Sequence, residues 1–336
     1  MTQELLGKRI LLIALSRYPD GIIKRMKDMG AEVDYFNDKP NDGFWCKTLG
    51  RLQSVIYNKV ITNYYYSEIE KRKNRTYDYI LILRGEYTTE DALVRLKSTF
   101  KDSKLILYIW DGLHKFNTRG IEKKWKYFDK VYTFDRIDYE DNKNALNFLP
   151  LYYYDDLIPQ ENCGIDKGNY KYDISFIGTG HADRVRIVKD IMKQYEEKGK
   201  KVFCYIYMPH PMVFYLNKLT NKDFKGIKKQ DIQFKPLPFS ELYNIYSQSK
   251  CVVDVENPGQ HGLTMRTIEI IGLKKKLITT NKDIVNYDFY NSNNILLIDR
   301  ENATADSDFL AQEYELLSKE IYDKYSLRNW ILEVLG

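Results

Sequence analysis

The stretch "KCVVDVENPGQHGLTMRTIEIIGLKKKLITT", residues 250–280, decides the fold. It opens on "KCVVDVE", an apolar β-rich run that ends in carboxylates. A loop follows that packs Pro258, Gly259 and Gly262 close together, then a helical pattern, then a second apolar strand, "KKLITT". Strand, glycine loop, helix and strand in that order make a βαβ unit, and repeated βαβ units build a parallel sheet. The same alternation runs ahead of this stretch: "YDISFIGTG" (172–180), a helix over 184–199, "KVFCYIY" (201–207) and a helix "FSELYNIYSQS" (239–249). It also runs through the first half, with strands "KRILLIAL" (8–15), "AEVDYF" (31–36), "YDYILILRG" (77–85), "KLILYIWD" (104–111) and "KVYTF" (130–134). The pattern breaks near residue 150, where "LPLYYYDDLIPQENCGIDKGNYK" (149–171) carries turn-forming residues without a period.

Two α/β halves joined by one linker predict two Rossmann-like, doubly wound domains facing a cleft. The expected boundaries are residues 1–152 for the first domain, 153–170 for the linker and 171–312 for the second. The strongly helical tail fills 313–336. Ligands of such sheets bind beyond the carboxyl ends of the strands. The informative positions therefore lie just after strands: Gly85 and Glu86, Asp111, the loop from Gly178, residues 235–238 and the loop from Asn257.

Composition narrows the function. With 43% hydrophobic and 29% charged residues in 336, the chain is a globular protein large enough for two cores. A net charge of +5 lacks the concentrated basic footprint of a nucleic-acid binder, so no nucleic-acid partner is expected. The four cysteines, Cys46, Cys163, Cys204 and Cys251, have no metal-ligand spacing. No secretory signal and no apolar run of membrane-spanning length is evident, which predicts a cytoplasmic protein. Basic stretches at 71–75 and 218–229 read first as solvated faces. The aromatic and lysine-rich "PMVFYLNKLTNKDFKGIKK" (211–229) also suits peripheral contact with an anionic membrane surface.

In the 250–280 stretch, Thr264 stands where it can cap the helix, and the preceding glycines let backbone approach a ligand. The free N–H groups of that helix end favour an anion such as a pyrophosphate. Arg266 in the first turn can add contacts to phosphate oxygens, and Glu269, one turn on, can accept from vicinal hydroxyls. The same residues also suit a purely structural turn. "FIGTGHADR" (176–184) repeats the arrangement, with Gly178, Thr179 and Gly180 after a strand and Arg184 and Arg186 early in the next helix. It is neither a GxGxxG fingerprint nor a Walker A loop. His181 lies near Arg184 and could help hold phosphate, although a structural role suits His181, His210 and His114 as well.

From Phe234 to Asn281 the chain resembles the nucleotide-sugar half of GT-B glycosyltransferases, in particular bacterial enzymes of capsule, exopolysaccharide or lipopolysaccharide assembly. The carriers are "LPFSELYNIYSQSKCVVDVENPGQHGLTMRTIEIIGLKKKLITTN", "YDISFIGTGHADR" and the final "YSLRNWILEVLG". The resemblance implies that the first domain takes the acceptor, the second a nucleotide-sugar donor, and that the last helix crosses back to the first domain. It places Glu269 at the donor ribose, Thr264, Met265 and Arg266 at the diphosphate with Gly262 and Leu263 beside them, and Leu237 near the base. His261 occupies the place where retaining members often have a second Glu, and Lys274 and Lys276 replace the later Gly and Pro.

The implied function is transfer of a sugar from a nucleotide-sugar to a glycan or lipid-linked glycan, without cofactor or metal. "DVE" (254–256), the nearest approach to a DxD motif, reads better as the end of a strand. For an inverting transfer the base candidates are Asp111, Glu86 and His114, all in or beside loops that follow strands, with Asp111 preferred because "WDG" sets its carboxylate beside a flexible turn. Asp111 can equally cap the next segment, and Glu86 can pair with Arg84. Two other readings share these features: a nucleotide-sugar epimerase or hydrolase, and a non-catalytic nucleotide-sugar-binding subunit of a polysaccharide assembly complex.

Overall fold

The computed structural model describes residues 3–15, 19–40, 55–113, 120–158, 170–304 and 306–336. The candidate base His114 lies outside them. The chain divides into two compact units, Met1–Pro150 with Leu327–Gly336, and Leu151–Ser326.

Unit 1 runs β1 (Arg9–Ala14), α1 (Pro19–Asp28), β2 (Glu32–Asn37), α2 (Val55–Glu70), β3 (Tyr79–Leu83), α3 (Glu90–Thr99), β4 (Lys104–Ile109), β5 (Lys130–Thr133), α4 (Arg136–Asp141) and β6 (Asn147–Phe148). Its strands form one parallel sheet in the order β2-β1-β3-β4-β5-β6. β1 and β4 are buried at every position after the first. Continuous apolar strands of this kind belong to a sheet covered on both faces. Thr89 caps α3, its hydroxyl accepting from the Ala92 N–H.

Unit 2 runs β7 (Tyr172–Thr179), α5 (Arg184–Glu197), β8 (Val202–Tyr207), α6 (Pro211–Thr220), β9 (Ile232–Gln233), α7 (Phe239–Ser247), β10 (Ser249–Asp254), α8 (Met265–Gly272), β11 (Lys276–Thr279), β12 (Ile295–Leu297), α9 (Ser307–Ala311) and α10 (Lys319–Lys324). The sheet is again parallel, in the order β12-β11-β10-β7-β8-β9. The two α/β halves expected from strand–helix alternation are thus both present. In each sheet the winding direction reverses once, between β1 and β3 in unit 1 and between β7 and β10 in unit 2. Loops leaving the carboxyl ends of those strands flank a crevice, the usual ligand position of doubly wound sheets.

The helical tail differs from its sequence pattern. Residues 312–318, after α9, lie outside any helix, and the tail is helical only in α10 and α11 (Leu327–Leu335). Between α9 and α10, Asn294 takes the backbone of Glu315, accepting its N–H at 2.8 Å and donating to its carbonyl at 2.7 Å. That tertiary pairing removes the groups a continuous helix needs. Only the last segment belongs to unit 1, where the Trp330 ring meets Tyr108 of β4 at 4.8 Å and Tyr132 donates to the Glu333 carbonyl. No helix among the described residues is long and apolar enough to cross a membrane.

At the other boundary, Tyr153 lies inside unit 2, buried and hydrogen-bonded to the Tyr325 and Tyr322 carbonyls. Its ring rests on Gly272, where a Cβ would sit 2.5 Å from Cγ of Tyr153. Gly272→Ala should therefore lower the stability of unit 2 by roughly 1–3 kcal/mol, and should cost little more in a Tyr153→Ala background. Urea unfolding of the four proteins in the cycle measures this; additive losses would show that the ring is not what forbids a side chain at 272.

Candidate functional site

In unit 2 the loops after β7 and β10 meet at the reversal of the sheet. Asp254, the last residue of β10, is 1% exposed. Its Oδ2 accepts from the hydroxyls of Thr264 (2.5 Å) and Thr267 (2.7 Å), and its Oδ1 lies 2.6 Å from Arg266 Nη1. Burial opposes the charge of Asp254, but Arg266 and the two hydroxyls outweigh it and hold the carboxyl below its ordinary range. Thr264 also caps α8, accepting from the Thr267 N–H. Arg266, expected at a diphosphate, gives its Nε to the Tyr246 hydroxyl (2.9 Å) and lays its guanidinium over the Phe176 ring at 5.3 Å. Gly178 makes room for this: a Cβ there would lie 2.9 Å from Arg266 Nη2 and 2.8 Å from Phe176. Gly180 is required for a related reason, since a Cβ would meet Ile206 at 2.7 Å. Both glycines serve protein packing directly.

Arg184 ties the two loops together. It is 7% exposed, and its Nε donates to the Val255 carbonyl at 2.6 Å. Its Nη1 reaches the Thr179 carbonyl, the Thr179 hydroxyl and, at 2.9 Å, His181 Nε2. Burial, then the Arg184 charge, pushes His181 down to about 4, so the ring is neutral and accepts that hydrogen bond. Arg300 grips Asp183 with Nε (2.6 Å) and Nη2 (3.0 Å), and Glu256 with Nη1 (2.5 Å). The carboxylates of "DVE" are thus each engaged by an arginine. Among the described residues no group of three or more His, Cys, Asp or Glu is placed to hold a metal ion.

Glu269 lies one turn into α8 and is 8% exposed. Burial pushes its carboxyl up to about 7, against the pull of Arg266 and the phenol of Tyr243, which faces it. Leu237 and Met265 are half-buried, Gly262 and Leu263 buried, Thr179 and His261 exposed. The crevice of unit 2 therefore offers a capped helix end, an arginine-rich floor and a buried carboxyl that is half protonated near neutrality.

In unit 1 the loop after β3 carries two successive residues with positive φ, Arg84 (74°) and Gly85 (64°). A non-glycine residue in that region is strained, a condition that clusters at functional sites. The turn aims the Arg84 guanidinium between two carboxylates, 2.9 Å from Glu86 Oε2 and 3.2 Å from Asp111 Oδ2. The two candidate bases are thus brought to one arginine. Burial pushes Glu86 up to about 7; Arg84 and Lys124 oppose this, while Asp38 and Asp111 add to it. Behind them Asp38, fully buried, accepts from the hydroxyls of Tyr65 and Thr88 and is pushed up to about 6 by burial. Glu86, Tyr87, Thr88, Thr89 and Lys124 line a cavity of about 750 Å³ together with Thr62 of α2, whose hydroxyl lies 2.7 Å from that of Thr89.

Sequence reading set Asp254 aside as the strand end in "DVE", and missed Tyr243, Tyr246 and Arg300 in unit 2, and Asp38 and Lys124 in unit 1. A signal existed for some of them. Asp254 and Asp38 stand at or just beyond strand ends, and Tyr243 and Tyr246 share one face of α7. Asp254→Asn should destabilise unit 2 by roughly 3–5 kcal/mol at pH 7, because it removes the buried half of an ion pair and leaves the half-buried Arg266 without its counter-charge. The depressed carboxyl stabilises the fold above its unfolded-state range, and that contribution fades as pH falls through its folded value. Denaturant unfolding between pH 7 and pH 3 should therefore show the gap between variant and parent closing in acid. A gap that is absent at pH 7 would sink this assignment.

No family model matches this sequence, and no curated protein matches it. Solved structures do resemble it. HepE of Anabaena, in complex with UDP and glucose, superposes with a TM-score of 0.61 over 98% of this chain and 99% of its own, at 12% identity. The lipopolysaccharide outer core galactosyltransferase WaaB, in its apo form, gives 0.56 over 97% and 99%, at 11% identity. The UDP-GlcNAc 2-epimerase of Methanocaldococcus jannaschii gives 0.54 over 97% and 99%, at 13% identity. These span nearly the whole of each chain, and their common architecture is that of the two units described above: this protein has the GT-B fold.

Proposed function

We propose that the protein is a glycosyltransferase of surface-polysaccharide assembly, acting in the cytoplasm. It takes a nucleoside-diphosphate sugar in unit 2 and transfers the sugar, with inversion, to a hydroxyl of a glycan or lipid-linked glycan held by unit 1. The observation that carries this reading is Glu269, a buried carboxyl one turn inside a helix whose capped end opens at the reversal of the sheet. A nucleotide would supply phosphate for the first-turn N–H groups of α8 and ribose hydroxyls for Glu269, whose carboxyl faces Tyr243. HepE, with its bound UDP and glucose, supports the same ligand class.

In the proposed reaction the acceptor oxygen attacks the anomeric carbon and passes its proton to Glu86. The bond from that carbon to the phosphate oxygen breaks, and the diphosphate leaves with the electron pair. The first turn of α8, with Thr264 and Met265, and the fixed charges of Arg266 and Arg184 would stabilise that leaving charge. Arg266 acts from its place on Asp254, without a metal ion being invoked. Glu86 is favoured over Asp111 because its carboxyl titrates near neutrality and lines the unit 1 cavity. Asp111 holds Arg84 in position from the other side.

Calorimetric titration with UDP tests the donor site. Glu269→Ala should weaken binding at least about tenfold, the worth of one hydrogen bond to a carboxylate. Parent and variant should bind 2′,3′-dideoxy-UDP alike; equal UDP affinities in both would refute the ribose assignment. For the base, transfer measured with a panel of nucleotide sugars should rise with pH through about 7, as Glu86 deprotonates. Glu86→Gln should lower kcat roughly 10²–10⁴-fold and remove that limb. An unchanged pH profile in the variant would move the role elsewhere.

The likeness to UDP-GlcNAc 2-epimerases favours one second reading, epimerisation of the donor. Incubation with UDP-GlcNAc in the absence of acceptor, followed by NMR, separates the two. A new sugar epimer would establish the epimerase, and unchanged donor is what the transferase reading expects.

A further inference from the structure

Helix α6 presents its apolar stripe to solvent. Met212, Tyr215, Leu216 and Leu219 recur at i, i+3, i+4 and i+7, the pattern by which a helix normally faces a core. Here they are 63%, 50%, 55% and 84% exposed, and it is Phe214, on the opposite side, that enters the core at 1%. The helix is well formed: Pro211 occupies its first turn, and His210 caps it by accepting the Met212 N–H at 3.1 Å. The stripe is thus a rigid feature, set on the packed Phe214, Phe224 and Ile227 beneath it. Contiguous exposed apolar side chains of this size mark a surface that something covers.

The charges around the stripe say what. The segment from Pro211 to Asp231 holds five lysines, Lys218, Lys222, Lys225, Lys228 and Lys229, all exposed. Its two acids are already neutralised by α5, Asp223 by Arg186 and Asp231 by Lys189, each at 2.9 Å. The lysines therefore carry an uncompensated positive field beside the apolar stripe. A second copy of the chain would bring the same lysines against themselves, which disfavours self-association through this face. A bilayer with anionic headgroups matches both parts, since its acyl boundary takes the apolar residues and its phosphates take the lysines.

We propose that α6 and the lysine-rich loop after it form a docking surface for an anionic lipid bilayer. None of these residues belongs to the candidate site, so the surface stands whatever reaction the site performs.

Co-sedimentation of the full chain with vesicles tests it. The protein should bind phosphatidylcholine vesicles that contain phosphatidylglycerol, bind pure phosphatidylcholine far less, and lose binding as salt rises. L216D/L219D should lower partitioning at least about tenfold. K222Q/K225Q/K228Q/K229Q should do the same with the apolar stripe intact. Both variants change exposed side chains, and their thermal midpoints should match the parent's. If one does not, the other set still decides. Absence of binding to the anionic vesicles, or equal binding by parent and variants, overturns the proposal. So does a dimer in sedimentation velocity that L216D/L219D abolishes, without vesicle binding by the parent.

Discussion

Everything at the unit 2 crevice hangs on a charge placed where water cannot reach it. Asp254 closes β10 inside the sheet, and a carboxylate so buried costs several kcal/mol unless it is paired and hydrogen-bonded. The chain meets that demand with three donors from one turn of helix: Thr264, Arg266 and Thr267. One carboxylate thereby fixes the strand end, the cap and the first turn of α8 in a single geometry. The unused N–H groups of that turn are then held ready, with little left to reorganise when an anion arrives. This is also why Arg266 points inward: its first obligation is to Asp254 and Tyr246.

The two units solve a similar problem in similar terms. Arg84 lies between Glu86 and Asp111 at the carboxyl ends of β3 and β4, as Arg300 lies between Asp183 and Glu256 in unit 2. Each crevice also keeps a carboxyl lifted to about 7, Glu86 in one and Glu269 in the other. In both, burial outweighs the arginine nearby. Both groups therefore change charge in the neutral range, where a proton can be taken or a hydroxyl received at small cost.

Local pattern made the architecture legible. The βαβ order, the capping by Thr264 and the carboxyl-end loops follow from strand periodicity and helix-start chemistry, which act over a few residues. Partners close in sequence, Glu86 with Arg84 and His181 with Arg184, were legible too, but those made across the fold were not. Nothing in "TMRTIE" says that Arg266 will be spent on Asp254, or that Gly178 is small to admit that guanidinium. Tyr153 reads as part of a polar linker, yet its fit on Gly272 ties it into a packed unit. The tail carries helix-forming residues throughout, and only the Asn294–Glu315 pairing, made across the fold, explains its interruption.

The position of α11 bears on how the protein comes to exist. Trp330 covers Tyr108 in the core of unit 1, but more than half of the chain, including all of unit 2, is synthesised between them. Unit 1 therefore begins first and is completed last, with an entire folded unit inserted in its chain. While unit 2 is being made, the β4 side of unit 1 lacks its cover and exposes apolar surface, a hazard for a partly made chain. Closure of that gap joins residues far apart in sequence, the slow kind of contact in folding. A ribosome-bound nascent chain should thus hold unit 2 folded before unit 1 is whole.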